Sequence, residues 1–494
     1  MISAVDFAKH AFFNTLLSPK RCMQALDQPR TRAELKAKSA QPCLGVPPGE
    51  VIATLEQHIL VDGFKLIFDA GKSHGSHFVD AATGRSLIDL YSFYASQPVG
   101  FNHPHFDQPE VQADLLRAAK VKVANADVYT TQFATFVKTF ARVVGLPPLE
   151  RYFFIEGGSL AVENALKAAM DWKVRKNLAA GHGERGTEII HFERAFHGRS
   201  GYTLSLTNTD PRKIAHFAKF PWPRIRTPML DFSLPPEQRL ADAVAKEKFA
   251  EHQIRDVLAQ KATDIAAIII EPIQGEGGDN HFRAEFMHTL RRLADENDVL
   301  LIFDEVQCGM GITGRRWCCE HFGVLPDLLV FGKKAQVCGV MAGPRLDEVN
   351  DNCFRLPSRI SSTWGGNFTD YVRSTHFLRI IEAENLVENA RAQGDFLKDG
   401  LVGLAKKFPQ VLRSVRGIGL MVGFELTPDI PAFAAKEKAP SLQFVNRLHE
   451  AGLLAIPAGT QVIRLLPPLN LGRPEAEEGL RIIEAVAASA SAGR

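Results

Sequence analysis

The chain has 494 residues, 45% of them apolar and 23% charged, and a formal net charge of +2. That length supports a large core and two domains, and the composition is that of a soluble globular protein. The small net charge gives no field for nucleic acid or an acidic membrane surface, no basic block with interleaved aromatics occurs, and no apolar run approaches the roughly 20 residues of a membrane span.

Asp6, Lys9 and His10 interrupt any apolar stretch near the start, so no signal peptide is expected and the chain reads as cytoplasmic. The seven cysteines have no repeating spacing. Cys318-Cys319 with His321 lacks a second cysteine pair, so the thiols read as incidental or structural and no metal site is expected. Met1–Pro48 is mixed, with charged pieces over Pro29–Lys38 that suit a surface helix or a loosely held arm.

Val51–Phe68 is predicted as a helix, followed by a small antiparallel element over Ser76–Asp89 that turns at Thr83-Gly84-Arg85. Tyr91–Asn102 is a connection rich in aromatic and small residues. Val111–Lys122 and Thr131–Val144 are predicted as amphipathic helices, the second with Phe133, Phe136, Val137 and Phe140 on one face. Arg151–Ile155 reads as a strand. Glu156-Gly157-Gly158-Ser159 then turns into a helix over Leu160–Arg175. Such a turn leaves backbone N–H groups free at a helix N-terminus, where phosphate is stabilised, although a plain tight turn would explain the glycines equally well.

Thr187–Phe192 is the next predicted strand, leading into Arg194-Ala195-Phe196-His197-Gly198-Arg199. An aromatic here can stack on a flat ring and an arginine can fork a carboxylate; core packing and a surface ion pair are the plainer roles. Asn208–Phe220 reads as a loop, and Leu234–Lys261 as a polar, helical surface insert.

Three short apolar runs follow, each stopping at polar groups or glycine. Ala266–Ile270 runs into Glu271-Pro272-Ile273-Gln274-Gly275-Glu276, Val299–Phe303 into Asp304-Glu305-Val306-Gln307, and Asp327–Phe331 into Gly332-Lys333-Lys334. Buried parallel strands read this way, with function at their C-terminal ends. A helix over Ala284–Asn297 separates the first two. Taken singly, Asp304 is a strand-end cap and Lys333 a turn lysine. Together they meet two needs of one cofactor: a lysine that can form a Schiff base with an aldehyde, and a carboxylate that keeps a pyridine nitrogen protonated. Chemistry alone does not choose between Lys333 and Lys334.

Downstream, Ser361–Asn367 is a turn containing Thr363, Trp364 and two glycines, and Tyr371–Leu404 reads as long helices with Leu378, Ile381, Leu386 and Leu397 inward. Val411–Glu425 reads as two strands, Ser441–Ala451 as a helix, and Gln461–Leu469 as a strand carrying Arg464. An arginine inside an apolar strand is costly unless it meets an anion.

Leu301–Gln307, Pro326-Asp327 and Phe331–Lys334 resemble the class III pyridoxal-phosphate aminotransferases from about Leu60 to the C-terminus. Phe196–Gly201, Lys333-Lys334 and Ser362–Gly366 resemble the branch holding lysine 6-aminotransferase and 4-aminobutyrate aminotransferase, and Ala195–Asn208 with Phe331–Gly343 look most like the former. The resemblance implies the α/β type I fold: a large domain with a mostly parallel sheet, over 90–384, and a smaller α+β domain built from 1–89 and 385–494.

It also implies pyridoxal 5'-phosphate as cofactor. Gly158 and Ser159 would hold its phosphate, Phe196 would stack on it, Asp304 and Gln307 would bond its ring nitrogen and hydroxyl, and Lys333 would carry the aldehyde. Thr363 would reach the phosphate of a neighbouring subunit, which makes the enzyme a homodimer with shared sites. Arg199 would bind the distal carboxylate of L-lysine and Arg464 the α-carboxylate of L-glutamate and 2-oxoglutarate. Glu276 would mask Arg464 when lysine is bound. The implied reaction moves the ε-amino group of lysine to 2-oxoglutarate, with 4-aminobutyrate or ornithine as alternative donors. The chain departs from the class at Gly157, where a serine is usual, and at Ala335–Gly339, where a glycine-rich run is usual.

Overall fold

The computed structural model describes residues 45–433 and 438–493, so the arm read into Met1–Pro48 lies outside the described residues up to position 44. The chain divides after Ile67 into two units. In the first, a single 3-10 turn, Pro48–Glu50, leads into a helix of only six residues, Val51–Glu56. The helix predicted to run on to Phe68 is thus cut short: Glu50 at its N-cap makes no side-chain capping bond, and β-branched residues and Gly63 follow.

The second unit opens with β1 (His77–Val79) and β2 (Ser86–Asp89), paired antiparallel as the Thr83-Gly84 turn predicts. Gly84 has φ +73°, and Thr83 Oγ1 donates to Asp80 Oδ2 at 2.6 Å to close the turn. The connection after β2 is unusual. Ser92, Phe93, Tyr94 and Ala95 all have φ between +41° and +65°, making one turn of left-handed helix. Each such L-residue costs roughly 1–2 kcal/mol. The turn persists because it is anchored: Asp89 Oδ1 accepts from Ser92 N at 2.7 Å, Ser92 Oγ donates to Leu466 O at 2.6 Å, and Gln336 Nε2 donates to Ser96 O at 2.5 Å.

The large sheet contains β3 (Arg151–Ile155), β4 (Glu188–Phe192), β5 (Arg224–Ile225), β6 (Ile265–Ile270), β7 (Leu300–Asp304), β8 (Leu328–Phe331) and β9 (Cys338–Ala342), in the order β3-β9-β8-β7-β6-β4-β5. The pairs from β8 through β7, β6 and β4 to β5 are parallel; β9 alone runs against its neighbours. Every residue of β6, β7 and β8 is buried, as expected of central strands covered on both faces. The helix Gly158–Ala179 packs against this sheet. It is buried nearly all round, and its Trp172 is fully buried with Nε1 donating to Arg345 O at 3.0 Å.

The remaining strands are β10 (Leu412–Ile418), β11 (Met421–Leu426), β12 (Leu453–Leu454), β13 (Ile456–Ala458) and β14 (Val462–Leu465). β12 pairs parallel with β2, and the others form an antiparallel sheet in the order β10-β11-β14-β13. The helices at Thr131–Val144, Pro236–Lys261, Phe368–Ala383 and Leu386–Lys407 follow the predicted ranges closely, with Leu378, Ile381, Leu386 and Leu397 buried. Strand β9, the helix Gly201–Leu206 and the short strands β5, β12 and β13 were not foreseen. Among the described residues no helix is long and apolar enough to cross a membrane.

Candidate active site

The parallel strands deliver their C-terminal ends to one rim. Glu271 follows β6, Asp304 ends β7, Gly332-Lys333 follows β8, and the loop after β4 carries Phe196 and His197. β3 runs in the same sense as β8 and delivers Gly157-Gly158 there too, while antiparallel β9 brings its first residue, Cys338, back to that rim. Arg464 arrives from the other side, on β14. All of the predicted site residues except Thr363 line one cavity of about 670 Å³.

Asp304 is buried; its Oδ2 lies 2.8 Å from His197 Nδ1, and its Oδ1 accepts from Val306 N at 3.1 Å. His197 Nε2 is buried without a hydrogen-bond partner. A buried imidazole fixed on a carboxylate holds that carboxylate's orientation, the role second ligands play behind reactive groups. Glu271 lies close by. Its Oε1 accepts from Phe196 N at 2.8 Å and Oε2 from Gly275 N at 3.3 Å, and burial, with the Asp304 charge adding, pushes its carboxyl up to about 7. Glu271 therefore ties the Phe196 loop to the Gly275-Glu276 loop.

Lys333 has φ +50° and lines the cavity, with Nζ 5.9 Å from the centre of the Tyr94 ring. Burial, with the Arg464 charge adding, pulls its ammonium down to about 7. Lys334 turns away: its Nζ donates to Gln307 O at 2.7 Å. The two lysines left open by sequence are thus separated by geometry, one facing the cavity and one spent on a backbone carbonyl.

The helix Gly158–Ala179 starts at this rim with Gly157 at φ +96°. Gly158 packs against Val306, where a Cβ would stand 3.1 Å from Val306 Cγ1. Ser159 Oγ lies 2.6 Å from Ser200 Oγ and 2.8 Å from Thr203 Oγ1, and Ser200 Oγ donates to Glu163 Oε1 at 2.9 Å. Open N–H groups at a helix start, beside hydroxyls, suit a phosphate. With an acid at the sheet end, an amine facing it and a half-buried aromatic at Phe196, the donor set fits pyridoxal phosphate.

Arg464 is 2% exposed. Its Nη1 donates to Gln307 Oε1 at 2.5 Å, its Nε has no partner, and burial lowers its pKa against the opposing charges of Asp279 and Glu271. Asp279 is itself wholly buried, with φ +53° and both carboxylate oxygens free of hydrogen bonds. Glu276 does not pair with Arg464 in this arrangement. It pairs with Lys213 and accepts from Thr209 Oγ1 at 3.4 Å. Gln307, expected on a cofactor hydroxyl, here receives the arginine. Arg199 is exposed at the cavity. Thr363 lies on an exposed turn away from it.

Sequence reasoning assigned no role to His197, Glu271, Asp279 or Lys213. The first two carried a signal: a histidine directly after Phe196, and an acid at the end of a wholly apolar strand.

Residues 61–487 match the family model for class III aminotransferases. The L-lysine-epsilon aminotransferase of Mycobacterium tuberculosis is 48% identical over 438 residues, covering 88% of this chain and 95% of the relative. That of Streptomyces clavuligerus is 46% identical over 435 residues, covering 88% and 93%. The solved lysine aminotransferase of M. tuberculosis superposes with a TM-score of 0.86 at 46% identity, over 90% of this chain and all of that one. With the sheet, its rim and the matched span in agreement, the chain belongs to the class III aminotransferases, enzymes of the type I fold that depend on pyridoxal phosphate.

Proposed function

We propose that this enzyme is an L-lysine 6-transaminase, moving the ε-amino group of L-lysine to 2-oxoglutarate to give 2-aminoadipate 6-semialdehyde and L-glutamate. The observation that carries this reading is the pair of arginines in one cavity, Arg199 exposed and Arg464 buried, with Glu276 lining the same cavity and paired with Lys213. The high identity to lysine aminotransferases supports it. A substrate whose carboxylate sits on Arg199 presents its far amine to Lys333. A substrate whose α-carboxylate sits on Arg464 presents its α-amine.

In this reading Gly158, Ser159 and the helix start hold the cofactor phosphate, Phe196 stacks on the ring, and Asp304, oriented by His197, holds the ring nitrogen protonated. The bound cofactor supplies an electron-withdrawing ring. Lys333 moves the proton at the substrate carbon, and a buried amine with its ammonium near 7 exchanges protons readily at neutral pH. Thr363, exposed on its turn, contributes to a second subunit's phosphate site in a homodimer.

Single-turnover mixing of the holoenzyme with L-lysine, 4-aminobutyrate and ornithine tests the donor, with the aldehyde product trapped and identified. Fast conversion of lysine to the 6-semialdehyde is expected. A clear preference for either other amine would replace the reading.

A further inference from the structure

Glu276 has two candidate cations within its neighbourhood and uses one. Lys213 Nζ donates to its Oε1, while Arg464 is held by Gln307. Lys213 ends a 3-10 turn, Pro211–Lys213, whose start is fixed by Asp210 Oδ1 accepting from Arg212 N at 2.9 Å. Arg212 also takes the Asp210 carboxylate with its guanidinium, at 2.7 Å from Oδ2. The nearest acid on the turn is thereby engaged, and Lys213 is directed to Glu276. The lysine Nζ also stands 5.6 Å from the centre of the Phe196 ring, so the pair abuts the wall on which the cofactor would lie. Both side chains are about one-third exposed, at 33% and 29%.

We propose that Lys213 is a positioning residue, a latch that receives the Glu276 carboxylate whenever a substrate carboxylate occupies Arg464. The inference rests on the reading of Glu276 as the mask of Arg464 and adds the partner that the mask needs when it opens. A carboxylate leaving an arginine with nowhere to go loses that interaction outright, and the open state is then scarcely populated. A second cation within reach brings the two states close in free energy, and only then can a modest ligand preference move the population. Burial lowers the pKa of Lys213 against the opposing charge of Asp210, and Arg199, Arg212 and Arg464 stand near enough to add to the lowering.

The test compares the wild type, Lys213→Met, Lys213→Arg, Glu276→Ala and the double variant Lys213→Met/Glu276→Ala, all as holoenzymes. Glutarate, a dicarboxylate with no amine, is titrated by calorimetry, and the half-reactions with lysine and glutamate are followed separately. Lys213→Met frees Glu276 to stay on Arg464. Glutarate should therefore bind about tenfold more weakly and the glutamate half-reaction should lose affinity, with the lysine half-reaction kept or faster. Lys213→Arg should restore binding, and Lys213→Met should have no further effect once Glu276 is Ala. Unchanged glutarate affinity in Lys213→Met overturns the latch. So does a loss that persists in the Glu276→Ala background, which would mean that Lys213 acts on the ligand directly. Glu276→Ala alone judges the underlying switch: equal slowing of both half-reactions ends that reading and the latch with it, whereas selective slowing with lysine keeps the switch whatever Lys213 does.

Discussion

Arg464 Nη1 meets Gln307 Oε1 at 2.5 Å directly over Gly275, where a Cβ would stand 2.5 Å from that same arginine nitrogen. The absence of a side chain at Gly275 is therefore what leaves room for the Arg464–Gln307 contact, and with it for the carboxylate site proposed at Arg464. Gly275→Ala should push both groups aside. Overpacking costs roughly 1–3 kcal/mol, and part of it falls on Arg464. If the proposed reaction is right, the KM for 2-oxoglutarate should rise about tenfold, roughly 1.4 kcal/mol, with a smaller change in that for lysine. Steady-state kinetics with each substrate varied would show this, and an equal rise in both would point to general damage.

Lys333 faces the cavity and Lys334 a backbone carbonyl. Borohydride treatment of the holoenzyme followed by peptide mapping should find the cofactor fixed to Lys333. Lys333→Ala should abolish turnover, whereas Lys334→Met should keep the label while loosening the Gln307 loop. Label on Lys334 alone would reverse the assignment.

Asp304→Asn preserves shape and removes charge. The cofactor should still bind, but the loss of a fixed carboxylate should raise the barrier by about 3 kcal/mol or more, read as a fall in kcat. His197 lies 2.8 Å from this carboxylate, so His197→Phe should reproduce a smaller part of the loss. A near-normal kcat in Asp304→Asn would remove the acid from the mechanism.

Thr363 does not line the cavity of this chain, and in the proposed homodimer it would serve the other subunit's site. Mixing Thr363→Ala chains with Lys333→Ala chains should yield dimers in which one site carries both lesions and the other neither, if sites are shared. The unlesioned site should bind cofactor with wild-type affinity. Mixed dimers lacking any wild-type site would refute sharing.

Burial pulls Lys334 down to about 7 from an ordinary 10.5. Between these values the unfolded chain binds the proton and the folded chain does not, so this lysine makes stability rise with pH across that window, by at most about 1.4 kcal/mol per pH unit. Glu305 has the opposite effect lower down: burial raises it to about 7 from 4.5, so its contribution falls as pH rises between the two. Denaturant titrations of the cofactor-free protein from pH 7 to 10 should show a smaller gain in Lys334→Met than in wild type.

Much of this was legible because parallel strands announce themselves. The stretches Ala266–Ile270, Val299–Phe303 and Leu328–Phe331 are apolar throughout, and a strand end is where a sheet must stop burying side chains. Arg464 was legible by its cost, a charge inside an apolar strand. Partnerships were not legible. Glu276 reads as an acid in a loop whether it faces Arg464 or Lys213, and Lys213 lies 63 residues from it in sequence. His197 and Asp304 are 107 residues apart. Strand β9 was missed because its glycine and small residues weaken the β signal, and the register with β8 that stabilises it is a tertiary fact. The left-handed turn at Ser92–Ala95 has no sequence signature, since its residues are not those that prefer positive φ.

That turn is held by anchors at Leu466 and Gln336, two residues beyond Arg464 and three beyond Lys333. One left-handed turn is thus tied by hydrogen bonds to the chain just past Arg464 and just past Lys333, two basic groups that line the cavity. The amides of Ser96 and Gln97 bond only to carbonyls of Ser92 and Phe93 within the turn, so they are protected only while the backbone stays left-handed. The mouth of the cavity should consequently open as a unit, at a free energy below that of the buried strands β6 to β8. Hydrogen exchange at those two amides would then register any loosening between the sheet that carries Lys333 and the sheet that carries Arg464 well before the protein unfolds.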